Sequence, residues 1–404
     1  MAQSVLGSIT LGYEPIWNLR RQCAGVRLFV AADSSSAVDA THLLDALAAL
    51  WSAASPTLLL SVQSPALLSD LLDHAPARGL WVEVPDHALS DPLLAARVRA
   101  AHQRGLPLVW TGDAGQSPAP ALAGWFHQTL RTLTPHEALA ALRVSLRQRP
   151  QGGTPDVAPS PVVPGSIYQG LASQALVEHA LDQQGVWGVA GWPVEEILHA
   201  YRFRQIQPAR HLLMALVQAI DADESLETLE QHLGNEPLLA YRFLRYANSA
   251  HLALKTEVGT IRQGLMALGY ARLRAWLVEQ LPQASIDPNL DPVRAHMVLR
   301  ARTMEQLADA GIEDDLRREV FLCGIFSQLD LLLGEPLGAA IHRLPLPGRI
   351  ASAVVGQSGP YAPWLEVACA LESSNTRMIR DVCQAHALPA DEVNRALLRT
   401  LASI

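Results

Sequence analysis

Short apolar runs alternate with helical repeats through the first half of the chain. Ser8–Trp17 (SITLGYEPIW), Val26–Ala32 (VRLFVAA), Thr57–Val62 (TLLLSV), Leu80–Val84 (LWVEV), Leu106–Trp110 (LPLVW) and Val186–Val189 have the length and apolar content of strands. Between them, Val38–Trp51 repeats Leu43, Leu44, Leu47 and Leu50 at helical spacing. Ala66–His74 is a helix behind Pro65, where a missing N–H is harmless, and Pro92 opens another that runs to about Arg104 and stops at Gly105. Ser173–Gln184 is a further helix. Strands alternating with helices at this spacing predict an α/β domain with a mainly parallel sheet.

After Glu195 the strand pattern all but disappears. Leu212–Ile220, Leu226–Leu233, Leu238–Ala250, Thr260–Leu268, Arg272–Leu281, Arg294–Ala310 and Leu316–Leu333 all carry helical periodicity, and shorter helical stretches continue to Ala402. The expected organisation is therefore multidomain: α/β over 1–200, with a Pro- and Gly-rich loop at 148–165, and all-α over 201–404. Only six strands are visible where a complete barrel needs eight. A shortened barrel is one expectation; two strands hidden in Pro118–Leu146 and Pro161–Tyr168 are the other.

The chain of 404 residues is 49% apolar with a formal net charge of −8, which suits folded domains with sizeable cores. Residues 151–199 hold five acids and no base, and no segment concentrates positive charge as a nucleic-acid binder does. A basic patch would have to be assembled by folding, from Arg242, Arg245, Arg262, Arg272 and Arg274. The four cysteines, Cys23, Cys323, Cys369 and Cys383, show no metal-ligand spacing and read as reduced, mostly buried thiols. The start MAQSVLGSIT lacks a basic segment before an apolar core, and no apolar run approaches the length of a membrane span. A cytoplasmic protein without membrane partners is expected. Phosphate-cradling glycine loops and nucleophile elbows are absent from the sequence.

The stretch Leu239–Leu277, LAYRFLRYANSAHLALKTEVGTIRQGLMALGYARLRAWL, resembles the signature segment of HDOD domains, helical relatives of the HD metal-dependent phosphohydrolases. Further matching stretches at Arg300–Ala308, Phe321–Leu333, Leu344–Ala353 and Leu365–Glu372 extend the resemblance over about Leu212–Leu401. HD hydrolases place adjacent His and Asp on a helix to hold metal. In this chain Ser327-Gln328 stands at that place, and neither His296 nor Asp330 restores the dyad. Asn248 and Ser249 end the signature helix; they either bond to local backbone or, with Arg245 and Arg262, line a partner-binding groove. Leu239, Phe243, Tyr246 and Ala250 form one helical stripe expected in the core, as are Trp276, Leu277 and Leu281.

The first half resembles an EAL domain, a modified TIM-like barrel that hydrolyses cyclic di-GMP in its active members. Tyr13-Glu14-Pro15-Ile16, Ala24–Leu28, Leu60-Ser61-Val62-Gln63, Val82-Glu83-Val84 and Gly105–Gly115 follow the order of the family's motifs. The resemblance implies that the signature glutamate has become Arg27, the asparagine ligand Ser61, and the aspartate pair Thr111 and Gly112, with Asp113 one residue on. Glu83 is either the one retained carboxylate or a polar residue at a strand end. Two hard cations need clustered carboxylates, and Arg27 opposes them electrostatically.

The expectation is thus a degenerate EAL barrel followed by an HDOD domain, without catalysis, cofactor or bound metal. Such a protein would act in bacterial signal transduction by binding other proteins, in or near cyclic di-GMP signalling, with homodimerisation compatible. The alternative is a cyclic di-GMP receptor or a residual metal-dependent phosphodiesterase or phosphohydrolase.

Overall fold

The computed structural model describes residues 5–32, 38–147, 159–250, 252, 257–308 and 313–404. Two compact units result: Met1–Glu196 together with Ala370–Ile404, and Ile197–Cys369. Most of the 148–165 loop (148–158), Lys255 and the end of the Arg294–Ala310 helix lie outside the described residues.

The first unit is a closed barrel of eight strands in sequence order. They are β1 (Ile9–Trp17), β2 (Cys23–Ala32), β3 (Thr57–Val62), β4 (Leu80–Pro85), β5 (Leu108–Thr111), β6 (Gln128–Thr132), β7 (Ile167–Gln169) and β8 (Gly188–Ala190). β1 runs antiparallel to both β2 and β8, and every other pairing is parallel. Buried on both faces, the longer strands are almost continuously apolar, as parallel barrel strands must be. Ile16, Leu59, Val109, Leu130, Ile167 and Ala190, from six different strands, meet in one cluster that fills the interior.

The barrel is complete, not shortened. β6 and β7 were the hidden strands, within Pro118–Leu146 and overlapping Pro161–Tyr168. They escape a hydrophobicity reading because β6 (QTLRT) buries only Leu130 and β7 is three residues long. Their polar side chains bond to one another instead: Thr129 Oγ1 to Ser166 Oγ at 2.9 Å, Arg131 Nε to Thr129 Oγ1 at 3.0 Å, and Gln169 Nε2 to Thr132 Oγ1 at 2.9 Å.

The grouping also departs from a boundary near 200 that hands everything beyond it to the helical domain. The helices Thr376–Ala385 and Ala390–Ala402 pack on β1 and belong with the barrel. The reason is topological. β1 and β2 are joined by a tight hairpin at Asn18–Gln22, so no crossover helix covers the outer face of β1. The C-terminal helices supply that cover. Asn394, 2% exposed, accepts from Leu11 N at 3.2 Å and donates to Leu6 O and Ile9 O at 2.7 and 2.8 Å. Gly12 is required beneath them, since a Cβ there would lie 2.2 Å from the Ser373 carbonyl oxygen.

The second unit is built from helices among the described residues, principally Arg210–Asp221, Leu226–Gly234, Pro237–Ala247, Ile261–Gln280, Asp291–Leu307 and Asp314–Phe326. Leu239, Phe243, Leu244, Leu265, Leu277, Ile325 and Phe326 form its core, and Trp276 closes edge-on against Phe243. Ile261–Gln280 is broken at Gly269, whose φ of 70° is the left-handed conformation that separates the two predicted helices there. Helix starts are capped as the sequence allows: Ser225 accepts from Thr228 N, Glu236 from Leu239 N and Thr260 from Gln263 N. Glu236 has a second duty. Wholly buried, it faces Arg294 Nε at 2.8 Å, which anchors Asp291–Leu307 to the start of Pro237–Ala247. Ala250, expected in the core stripe, is exposed because its helix has already ended at Ala247.

Candidate functional site

Inside the barrel one cation holds two carboxylates. Arg27 of β2 donates from Nε and Nη2 to Glu83 of β4 at 2.8 and 2.7 Å, a two-point guanidinium–carboxylate pair. Its Nη1 donates to Gln169 Oε1 of β7 at 2.7 Å and lies 3.5 Å from Glu14 Oε2 of β1. These strands are not neighbours of β2, apart from β1, so the bonds must cross the barrel interior. The Arg27 guanidinium also lies over the Phe29 ring, 4.8 Å from its centre. Arg27 and Glu83 side chains are 11% and 5% exposed, so little solvent screens the pair.

The local sequence accounts for the cluster. Glu14 is the one position of β1 that is not fully buried, and it sits directly opposite Arg27 in the β1–β2 register. Burial works against the Arg27 charge, but the attraction and hydrogen bonds of Glu83, then Glu14, outweigh it and hold the guanidinium firmly protonated. Glu14 is the surplus anion. Burial pushes its carboxyl above the ordinary range; Arg27 pulls it back, and the charge of Glu83 adds to the rise.

The other implied barrel positions do not join this cluster. Asp113 is exposed in a turn closed by its backbone N–H on Gln116 Oε1 at 3.1 Å. Ser61 and Thr111 are half-buried strand residues, and Trp110 spends its indole N–H on Asp86 at 2.8 Å. Glu83 is thus no loose polar end of a strand but the acid of a buried ion pair. Sequence reading singled out Arg27 and Glu83 but missed their mutual bond and the roles of Glu14 and Gln169. A lone acid in an otherwise apolar strand was the available signal.

In the helical unit, Ser327 ends the helix Asp314–Phe326. Its Oγ donates to Gly324 O at 2.7 Å and accepts from the buried Arg300 at 3.3 Å. The close approach of Asp291–Leu307 that brings Arg300 there depends on Gly324: a Cβ on it would lie 2.4 Å from Ala301 Cα. Among the described residues, no group of three or more His, Cys, Asp or Glu side chains converges as metal ligands in either unit. Burial pushes the Cys23 and Cys323 thiols up to about 12, so neither supplies a thiolate at neutral pH.

The four partner-binding candidates separate. Asn248 is a backbone clip. Its amide donates to Leu244 O and Val258 O at 2.8 and 2.9 Å, and its Oδ1 accepts from Val258 N at 2.8 Å, which fixes the approach to the next helix. Ser249 Oγ is buried without a hydrogen-bond partner among the described residues. Arg262 reaches Glu230 at 3.3 Å, and Arg318 shares the same carboxylate. The basic patch assembles only in part: Arg274 is paired bidentately with Asp221 and Arg262 with Glu230, while Arg242 and Arg245 line one cavity.

Arg245 faces an open cavity, of about 380 Å³. Arg242, Tyr246 and Trp276 line it with Arg245, and Gln205, Gln207, Gln280 and Gln283 complete the wall. Tyr246 and Trp276 stack with ring centres 5.4 Å apart and planes 15° from parallel. The sequence reading singled out Arg242, Arg245, Tyr246 and Trp276 but not the four glutamines, which come from two separated segments.

Residues 207–333 match the HDOD domain family. The YuxH protein of Bacillus subtilis is 24% identical over 155 residues, 37% of either chain. The cyclic di-GMP phosphodiesterase CdgJ of Vibrio cholerae is 23% identical over 198 residues, 48% of this chain and 45% of that one. This chain therefore spans less than half the length of the curated relatives it matches. Among solved structures, the MmoQ response regulator of Methylococcus capsulatus aligns over 48% of this chain and 98% of its own, at 15% identity and a TM-score of 0.39. Klebsiella pneumoniae BlrP1, in a complex with calcium and cyclic di-GMP, aligns over 48% and 57% at 11% identity and a TM-score of 0.31. Residues 207–333 therefore constitute an HDOD domain, in a chain whose first part is a closed eight-stranded barrel.

Proposed function

We propose that this protein is a non-catalytic regulator in or near cyclic di-GMP signalling, built from a degenerate EAL barrel and an HDOD domain, and that it acts by binding other proteins. The observation that carries the reading is the bidentate bond of Arg27 to Glu83. On the EAL resemblance, Arg27 stands where a metal-binding glutamate is expected and Glu83 is the one carboxylate kept. The guanidinium bonds to both oxygens of that carboxylate and sets a fixed positive charge against it, which opposes the approach of a hard cation. A fixed internal cation thus does structurally what a divalent metal would do electrostatically, without a metal's open coordination position for water. The name of the Vibrio cholerae relative supports the signalling context.

Incubation of the full chain with cyclic di-GMP and Mg²⁺ or Mn²⁺, followed by chromatography of the products, tests the reading. No linear dinucleotide above the blank is expected. Metal-dependent turnover abolished by Glu83→Gln would overturn it and establish the residual phosphodiesterase instead.

A further inference from the structure

The cavity on the HDOD unit has the make-up of a small-ligand site, independent of the barrel. Arg242 and Arg245 lie three residues apart on the helix Pro237–Ala247 and both open into it. Among the described residues neither pairs with a carboxylate. Arg242 spends two N–H groups on Gln207 Oε1 at 2.8 Å and Ile206 O at 3.3 Å, which orients its fork without neutralising it. The carboxylate whose field reaches it, Glu236, is already held by Arg294. Burial pushes the Arg242 guanidinium below its ordinary range, the field of Glu236 offsets part of that fall, and the neighbouring Arg245 charge adds a smaller push, so two like charges lie side by side on the cavity wall. An anion bound between them relieves that repulsion, and arginine forks suit a phosphate's oxygens.

The remaining walls point to what the anion is attached to. The half-buried Tyr246 ring is backed on one face by Trp276, a rigid platform for a planar ring. Gln205, Gln280 and Gln283 present amide donors and acceptors without net charge, as the polar edge of a heterocycle or a sugar hydroxyl requires. The volume of about 380 Å³ lies at the small end of the range for ligand pockets.

We propose that this cavity binds a nucleoside monophosphate, with the phosphate between Arg242 and Arg245 and the base against the Tyr246–Trp276 stack. This goes beyond the regulatory reading of the whole protein and does not depend on it.

Calorimetric titration of the full chain with GMP, AMP, UMP and CMP, alongside inorganic phosphate and guanosine, provides the test. At least one nucleotide should bind at a single site, with phosphate alone and nucleoside alone each weaker by roughly tenfold or more, because each loses one of the two contacts. Arg245 is exposed, so Arg245→Gln should leave thermal unfolding unchanged and weaken the nucleotide by roughly tenfold, whereas Arg242→Lys should weaken it less. The proposal falls if no nucleotide binds more tightly than phosphate, or if Arg245→Gln binds as the wild type does. Either result leaves the expected absence of cyclic di-GMP turnover in the barrel untouched.

Discussion

The barrel and the helical unit each bury an arginine, Arg27 and Arg300, yet the two arginines do different work. In the barrel, Arg27 answers a carboxylate with two charge-assisted bonds in a nearly dry interior. In the helical unit, Arg300 reaches the neutral hydroxyl of Ser327, and among the described residues no group of three or more His, Cys, Asp or Glu gathers as metal ligands. One contact compensates a buried negative charge; the other joins a guanidinium to a neutral hydroxyl at a helix end.

The largest effect should follow from breaking the compensated site. Arg27→Met strands Glu83 in the barrel interior, and removing one partner of a buried pair costs about 3–5 kcal/mol. Calorimetric unfolding should show the barrel transition shifted well down in temperature, with most of the loss recovered in Arg27→Met/Glu83→Leu. If the single variant were as stable as the wild type, the pair would not hold the barrel together. Asn248→Ala in the helical unit should cost less, about 1–3 kcal/mol, since it leaves the Leu244 and Val258 backbone groups to find other partners. Urea denaturation monitored by far-ultraviolet circular dichroism would report it. Ser327→Ala should cost no more than about 1 kcal/mol, because the Gly324 bond is between neutral groups, the Arg300 contact is long at 3.3 Å, and Arg300 keeps other contacts. A loss as large as that of Arg27→Met would erase the contrast between the two sites.

The smallest effect is one of pH. The Glu14 carboxyl titrates higher in the folded barrel than in the unfolded chain, so the folded state binds the extra proton. Stability contributed by that proton is present below the unfolded value and lost as pH rises through the folded one. Glu14→Gln should therefore flatten the decline in stability from mildly acidic toward neutral pH while changing little at lower pH. Melting temperatures across that range would show an unchanged slope if Glu14 were already ionised at its ordinary value.

These contrasts explain what was legible from the sequence. The helical unit announced itself because its apolar positions repeat at helical spacing over long segments. The barrel was legible only where strands are apolar; β6 and β7 hold polar residues that are satisfied by bonds between these two neighbouring strands, a solution no period reveals. The link from residues 370–404 back to β1 rests on Asn394 and Gly12, more than 380 positions apart, and has no local signal. At the sites, residue types were readable and their partners were not. Arg27 could be seen to oppose a metal, but that it meets Glu83 is a fact of the closed sheet.

Manganese binding followed by electron paramagnetic resonance tests the central claim most directly, since it reads the barrel site without presuming a substrate. With Arg27 fixed on Glu83, the wild-type chain should leave the spectrum of free Mn²⁺ unchanged. One stoichiometric bound ion that disappears in Glu83→Gln would contradict the account.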